Sequence, residues 1–222
     1  MIAETEAILR QAAHVGRAAL STAFGPGGIV LLDLVQRLEL DVDIHFLDTG
    51  FHFPETLELV RTWQDRGLDI QIVSPELSPL TRVATSRLYA TDPDRCCHLR
   101  KVEPNLRALE GADVWITSLR RDQGGRRATV PVEEEVTLPD GHRIRKVAPL
   151  AAWTRDQVWA HIEAHELPTN PLHAHGYPSV GCAPCTAAVG PGGAERDGRW
   201  AGRAKTECGL HLHPNPSERV AS

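Results

Sequence analysis

Five cysteines are the residues of this sequence best suited to chemistry, and they stand in three places: Cys96-Cys97, Cys182-Ala183-Pro184-Cys185 and Cys208. Two thiols with two residues between them converge across one turn on a metal centre, a redox disulfide or half of a zinc site. Adjacent cysteines are different. Neighbouring side chains diverge on a helix or strand, so a Cys-Cys pair that shares one ligand needs unusual backbone and is rare in zinc ribbons. The two pairs are far apart in sequence, so only the fold can join them; joined, they suffice for a [4Fe–4S] cluster or a zinc site. That leaves Cys208, in Lys205-Thr206-Glu207-Cys208-Gly209-Leu210-His211. It reads either as a nucleophile with a lysine and a histidine close in sequence or as an incidental exposed thiol.

A second chemistry is suggested by Phe24-Gly25-Pro26-Gly27-Gly28, a loop expected to open a helix, where free N–H groups and the helix dipole favour an anion. The loop has neither the Lys-Ser/Thr of a Walker motif nor a GxGxxG, and glycines after a first strand more often just make a tight turn. Asp48-Thr49-Gly50 follows the next expected strand. Ligands of open α/β sheets lie beyond the carboxyl ends of strands, so both loops should face one crevice. Cations stand nearby in sequence to these motifs: Lys101, Arg120-Arg121, Arg126-Arg127, Arg196 and Arg199. Taken singly, each reads as a solvated surface charge.

These groups must be positioned by alternating elements. Residues 4–17 have helical spacing; Ala18 to Phe24 read as a strand, and Ile29 to Leu40 as a helix. Ile44 to Leu47 form a strand, Pro54 opens a helix through Arg66, and Asp69 to Val73 and Asp113 to Thr117 supply further strands. Thr129 to Val147, with Asp140-Gly141 inside, read as a hairpin or extended excursion. Thr154-Arg155-Asp156-Gln157 is a capping box for a helix through His165. The order predicts a mostly parallel α/β sheet with helices on both faces. Residues 1–189 are expected as one α/β domain, and residues 190–222, opening on a glycine-rich stretch, as a mobile C-terminal arm.

The 222 residues carry a net charge of −5, 41% hydrophobic and 24% charged residues, ordinary values for a globular chain. No basic footprint for nucleic acid is present. Met1-Ile2-Ala3-Glu4-Thr5-Glu6 is acidic where a signal peptide is basic, and the apolar stretch Gly28 to Leu34 is broken by Asp33. The expectation is a cytoplasmic protein with no membrane segment, whose cysteines serve metal or catalysis; the odd count excludes complete pairing within one chain. Homo-oligomerisation is left open.

Five motifs in fixed order, Cys96-Cys97-His98-Leu99-Arg100-Lys101, Thr117-Ser118-Leu119-Arg120-Arg121-Asp122-Gln123, Gly181-Cys182-Ala183-Pro184-Cys185-Thr186, Glu195-Arg196-Asp197-Gly198-Arg199-Trp200 and Glu207-Cys208-Gly209-Leu210-His211, make the sequence resemble the assimilatory adenylyl-sulfate and phosphoadenylyl-sulfate reductases from about Ser21 to His211. The resemblance implies an ATP-pyrophosphatase-like sheet and thioredoxin-dependent reduction of adenosine 5′-phosphosulfate to sulfite and AMP through S-sulfocysteine, within sulfate assimilation. It implies one [4Fe–4S] cluster per chain on Cys96, Cys97, Cys182 and Cys185, and Cys208, His211 and Lys101 as catalytic residues. Substrate contacts are implied at Ser21, Thr22, Phe24, Gly25, Leu47, Asp48, Thr49, Gly50, Ser118, Arg127, Arg196, Arg199 and Trp200. Gly27-Gly28 and Ser118 depart from residues common in relatives.

Competing readings are the 3′-phosphorylated substrate or dual specificity, an ATP-dependent adenylating or tRNA-thiolating enzyme of the same fold, and a non-catalytic metal-binding redox sensor. The four-cysteine set favours the substrate without a 3′-phosphate. The adenylating reading needs a Ser-Gly-Gly-x-Asp-Ser loop, and Ser21-Thr22-Ala23-Phe24-Gly25-Pro26-Gly27-Gly28 lacks that aspartate.

Overall fold

The computed structural model describes residues 1–211. Its strands are β1 (Ala18–Thr22), β2 (Val42–Leu47), β3 (Ile70–Val73), β4 (Val114–Ile116), β5 (Glu133–Thr137) and β6 (Arg143–Val147), in the sheet order β3-β2-β1-β4-β6-β5. All neighbours are parallel except β5, which runs antiparallel to β6 at the edge. The helices are α1 (Ile2–Val15), α2 (Pro26–Arg37), α3 (Pro54–Asp65), α4 (Pro79–Ala84), α5 (Leu88–Thr91), α6 (Pro93–Cys97), α7 (Glu103–Ala108) and α8 (Arg155–Ala164).

Side chains alternate across the strands and so feed two cores. Ala18 and Leu20 of β1, with Val114 and Ile116 of β4, join Leu9, Leu31, Trp63, Val158 and Ile162 on one face. Ala19 and Trp115 point the other way, toward Leu106 and Leu109. Chain order reverses at β1, which has β2 on one side and β4 on the other, and a crevice opens at such a switch.

The expected elements are present with shifted bounds, and the shifts have local causes. β1 stops at Thr22 because Phe24 turns into the left-handed region at φ 56° and drops its ring into the core against Phe46. α2 begins at Pro26, three residues before the expected Ile29. Proline's fixed φ suits the first helical position and its missing N–H costs nothing there. Gly27 and Gly28 therefore belong to the first helical turn. The expected hairpin is β5–β6, and it widens the sheet because β6 also pairs with β4. The exposed edge β5 carries Glu133, Glu134 and Glu135 opposite Val147, Lys146 and Arg145, and charge of this kind discourages further strand pairing. The capping box is as expected: Thr154 Oγ1 accepts from Gln157 N–H at 3.2 Å, and Gln157 Oε1 accepts from Thr154 N–H at 2.8 Å.

α2 and α8 are clamped behind the sheet by Asp33, whose carboxylate meets His161 Nε2 at 2.8 Å and Arg37 Nη1 at 3.5 Å. No helix among the described residues is long and apolar enough to cross a membrane.

Candidate active site

At the carboxyl ends of β1, β2 and β4 lies a cleft of about 1080 Å³, open to solvent. Its floor is Ser21, Thr22, Gly25 and Gly27 from the β1–α2 turn, with Leu47 and Thr49 after β2 and Ser118 after β4. The turn is sterically tight. A Cβ on Gly28 would stand 2.4 Å from Thr22 Oγ1, and that oxygen accepts the N–H of the left-handed Phe24 at 3.1 Å. The start of α2 lines the cleft and receives no side-chain cap, which leaves its first-turn N–H groups, after Pro26, without a side-chain acceptor. Ser21 Oγ donates to Asn105 Oδ1 at 2.6 Å, tying the floor to α7. Phe24, Asp48 and Gly50 shape the loops without lining the cleft: Asp48 Oδ1 accepts from Gly50 N–H at 2.9 Å in an Asx turn, and Gly50 takes φ 72°.

Beside the cleft is a smaller cavity of about 330 Å³ lined by Cys96, Cys97, Cys182 and Cys185 with Phe51, Tyr89, Pro93, Arg100, Lys101 and Trp200. The fold thus joins the two cysteine pairs. The adjacent cysteines end the ordinary helix α6, and a π-helical turn, His98–Val102, follows them at once and inserts a residue relative to α-helical winding. The CxxC is pinned to the loop after β2, with Ala183 N–H donating to the Phe51 carbonyl at 2.7 Å and Cys182 Sγ 3.2 Å from Thr49 Oγ1. Arg100 packs over the Phe51 ring and donates to the Thr49 carbonyl at 2.9 Å. Burial pushes the thiols of Cys96 and Cys185 up and that of Cys97 up to about 12, so a positive ligand would favour their thiolates here.

Spacing bears on which group fits. Four thiolates about 2.3 Å from one zinc ion lie about 3.8 Å from one another. Among the described residues, three metal-ligating atoms come within 4.8 Å of each other at Asp33, His161 and His165, and at no trio of these cysteines. There Arg37 Nη1, 3.2 Å from His165 Nε2, already supplies a cation. The four cysteines line one cavity together with Arg100 and Lys101, and four thiol donors of this kind suit a thiolate-held metal centre.

Lys101 and Trp200 face both cavities. Burial opposes the charge on Lys101, but Cys182, Cys208 and Cys97 facing it hold its ammonium above the ordinary value. Arg199 lies over the Trp200 ring, 4.8 Å from its centre, and its buried Nε has no partner among the described residues.

Cys208 lines the cleft. The segment before it was expected to bury little, yet its first part is fastened. Glu195 accepts from Arg120 Nη2 at 2.6 Å and from Gln123 Nε2 at 3.2 Å, and the Arg120 side chain is only 2% exposed. Trp200 is buried, and its N–H donates to the Cys185 carbonyl at 3.0 Å. Arg127 and Arg196 reach the cleft, but both are engaged by Glu207. His211 lines the cleft with Cys208, stacked on Trp115, and burial together with Arg127, Lys146, Arg196 and Lys101 holds its pKa well below the ordinary value. Residues 212–222 of the expected arm lie outside the described residues.

Sequence reading missed His52, Gln123 and Glu195 in the cleft wall and named Arg120 only as one of the cations near the motifs. Arg120, Gln123 and Glu195 stand inside motifs already singled out, so their position was the available signal; His52 gave none.

Fold and site together define an α/β protein with an anion-receiving helix start, a ring of cations and a free thiol in one cleft. The phosphoadenosine phosphosulfate reductase domain model matches residues 17–188. Adenosine 5′-phosphosulfate reductase 2 of Bacillus subtilis (strain 168) is 46% identical over 194 residues, 85% of this chain and 80% of that one. Phosphoadenosine 5′-phosphosulfate reductase of Gloeobacter violaceus is 44% identical over 214 residues, 93% of this chain and 88% of that one. The crystal structure of phosphoadenylyl-sulfate reductase from Candida auris superposes with TM-score 0.69 at 31% identity, covering 83% of this chain and 90% of that one. The chain belongs to the phosphoadenosine phosphosulfate reductase family, with the ATP-pyrophosphatase-like α/β fold the sequence led us to expect.

Proposed function

We propose that this protein reduces adenosine 5′-phosphosulfate to sulfite and AMP in sulfate assimilation, with Cys208 as nucleophile and an external dithiol protein such as thioredoxin as reductant. The observation that carries the reading is that Cys208 opens into the same cleft as the start of α2, Lys101 and Arg199. A thiolate has to approach an anionic sulfate, and cations around both the sulfate and the departing phosphate stabilise charge where it develops.

In the first step Cys208 Sγ bonds to the sulfur of the sulfate while the S–O bond to the phosphate breaks. AMP leaves with the electron pair, held by the α2 N–H groups and the cleft cations. In the second step a thiolate of the partner attacks Cys208 Sγ, sulfite departs and a mixed disulfide remains. The partner's second thiol resolves it, so the dithiol supplies both electrons. With Cys96, Cys97, Cys182 and Cys185 committed to a cluster, no second thiol of this chain is free for that task.

Cys96, Cys97, Cys182 and Cys185 would hold one [4Fe–4S] cluster, which when bound supplies local charge beside Lys101. Lys101 carries the link, because it stands between the cysteines and the cleft.

The alternative substrate carries a 3′-phosphate, about −1.5 to −2 of added charge that needs its own basic partners. The Gloeobacter relative's name favours that substrate and the Bacillus relative's name favours the unphosphorylated one. The full cysteine set supports the latter. Incubating reduced holoenzyme with adenosine 5′-phosphosulfate and no dithiol protein should give one equivalent of AMP and a sulfonate-sized mass increase on the Cys208 peptide. Mass on another residue, or a higher kcat/KM for the 3′-phosphorylated nucleotide, would overturn the corresponding part of the reading.

A further inference from the structure

Glu207 stands next to the thiol and takes no part in the steps above, yet it makes a strong contact. Its carboxylate accepts from Arg127 Nε at 2.7 Å and Nη2 at 2.8 Å, and lies 3.2 Å from Arg196 Nη2. Side-chain exposures of 13% for Glu207, 14% for Arg127 and 18% for Arg196 remove most of the water that would screen these charges. Burial alone would raise the Glu207 carboxyl, but Arg127 and Arg196 outweigh it and hold its pKa below the ordinary value. The receiving side is itself fixed, since Arg127 Nη1 donates to Gln123 Oε1 at 2.7 Å.

The other ties of the C-terminal segment divide it in two. Up to Trp200 it is part of the cleft wall: Glu195 is held by Arg120, Ala187 N–H donates to the Gly198 carbonyl at 2.8 Å, and Trp200 is 3% exposed. Beyond Gly202, which takes φ 77°, Glu207 makes the one bidentate charged contact among the described residues, beside a Thr206 carbonyl that accepts from Arg196 Nη2 at 2.9 Å, a His211 carbonyl that accepts from Lys146 Nζ at 3.3 Å and the His211 ring stacked on Trp115. Arg203 reaches the Tyr89 carbonyl and Lys205 reaches Asp94, whose side chain is 83% exposed, and a pair with so exposed a member adds little.

We propose that Glu207 is a latch that positions Cys208 in the cleft, with Arg127 and Arg196 as its receiver and Gly202, rather than the whole stretch from Gly190, as the hinge. The proposal rests on the reading of Cys208 as nucleophile. The two reaction steps need the thiol in different places, over the nucleotide and then against a protein partner. A carboxylate fork next to the thiol holds the first position and can be released without disturbing the cleft wall.

The test uses holoenzyme with Glu207→Gln and Glu207→Asp. Iodoacetamide labelling of Cys208, followed by peptide mass in the absence of nucleotide, is compared on the alkaline plateau, where the fraction of thiolate no longer differs. Labelling should be about tenfold faster in Glu207→Gln, the effect of losing roughly one charge-assisted hydrogen bond, and less than about threefold faster in Glu207→Asp. AMP affinity should stay within about twofold of wild type, and because one equilibrium governs both readouts, a tenfold gain in labelling leaves the thiol mostly latched and lowers the rate of AMP release from adenosine 5′-phosphosulfate by less than about twofold at unchanged KM. Equal labelling rates in Glu207→Gln and wild type would sink the latch. So would faster labelling accompanied by a matching loss of AMP affinity and thermal stability, which indicates general loosening. Labelling needs no turnover, so faster labelling of Glu207→Gln in a protein that releases no AMP would keep the latch and reject the proposed reaction.

Discussion

Gly28→Ala distinguishes local propensity from the packing of the β1–α2 turn, because the two give opposite signs. In an ordinary helix the change adds about 1 kcal/mol of stability. Here the new methyl would lie 2.4 Å from Thr22 Oγ1. The hydroxyl has to rotate away and abandon the Phe24 N–H it accepts at 3.1 Å, inside a site where Thr22 and Phe24 are both buried. Losing a buried partner costs about 1–3 kcal/mol and a strained rotamer about 1 kcal/mol more, so the net loss should be about 2 kcal/mol. Removing the hydroxyl as well reverses the effect. The next atom is Thr22 Cβ at 3.6 Å, an ordinary contact, so Thr22→Ala/Gly28→Ala should be more stable than Gly28→Ala alone. Thr22→Ala by itself loses only the Phe24 bond, about 1 kcal/mol. Urea unfolding of the four proteins with intact cofactor gives the cycle, and AMP affinity reports the turn. A Gly28→Ala protein at least as stable as wild type, or additive effects in the cycle, would refute the packing argument.

Replacing any one of Cys96, Cys97, Cys182 or Cys185 with Ser should remove most iron and the brown absorption of anaerobically purified protein; unchanged iron content would strike that residue from the ligand set, and a colourless zinc protein would end the cluster reading. Asp33→Asn leaves His161, His165 and Arg37 around a neutral amide and should cost about 2 kcal/mol at pH 7. Burial acts to raise the Asp33 pKa, but His161, Arg37 and His165 bring it below its ordinary 3.8. Its contribution is therefore complete above that value and disappears as pH falls through the lower folded-state value. The wild-type advantage in chemical denaturation should be full at neutral pH and shrink below about pH 4; an advantage unchanged at pH 3 would exclude the ion pair as its source.

What could be read from sequence follows the range of the interaction responsible. Strand and helix alternation from Ala18 to Val73 was legible because each element carries its own periodicity, and Thr154-Gln157 because a capping box spans four residues. The cysteine set could be assembled because thiols have few alternatives, and the pairs do line one cavity. The fastening of the C-terminal segment was not legible. Composition from Gly190 suggests mobility, while Arg120–Glu195 and Arg127–Glu207 pair side chains 75 and 80 residues apart, and nothing local announces them. The seat of His211 was not legible for the same reason: it stacks on Trp115 of β4, far away in sequence.

The wall that Lys101 and Trp200 share has a consequence for inheritance. Two cavities with separate walls can drift independently, each tolerating losses the other never registers. Here a substitution at one of the cysteines that reshapes the smaller cavity also alters the backing of Lys101 and Trp200, which face the cleft, so the change is felt on both sides of the wall at once.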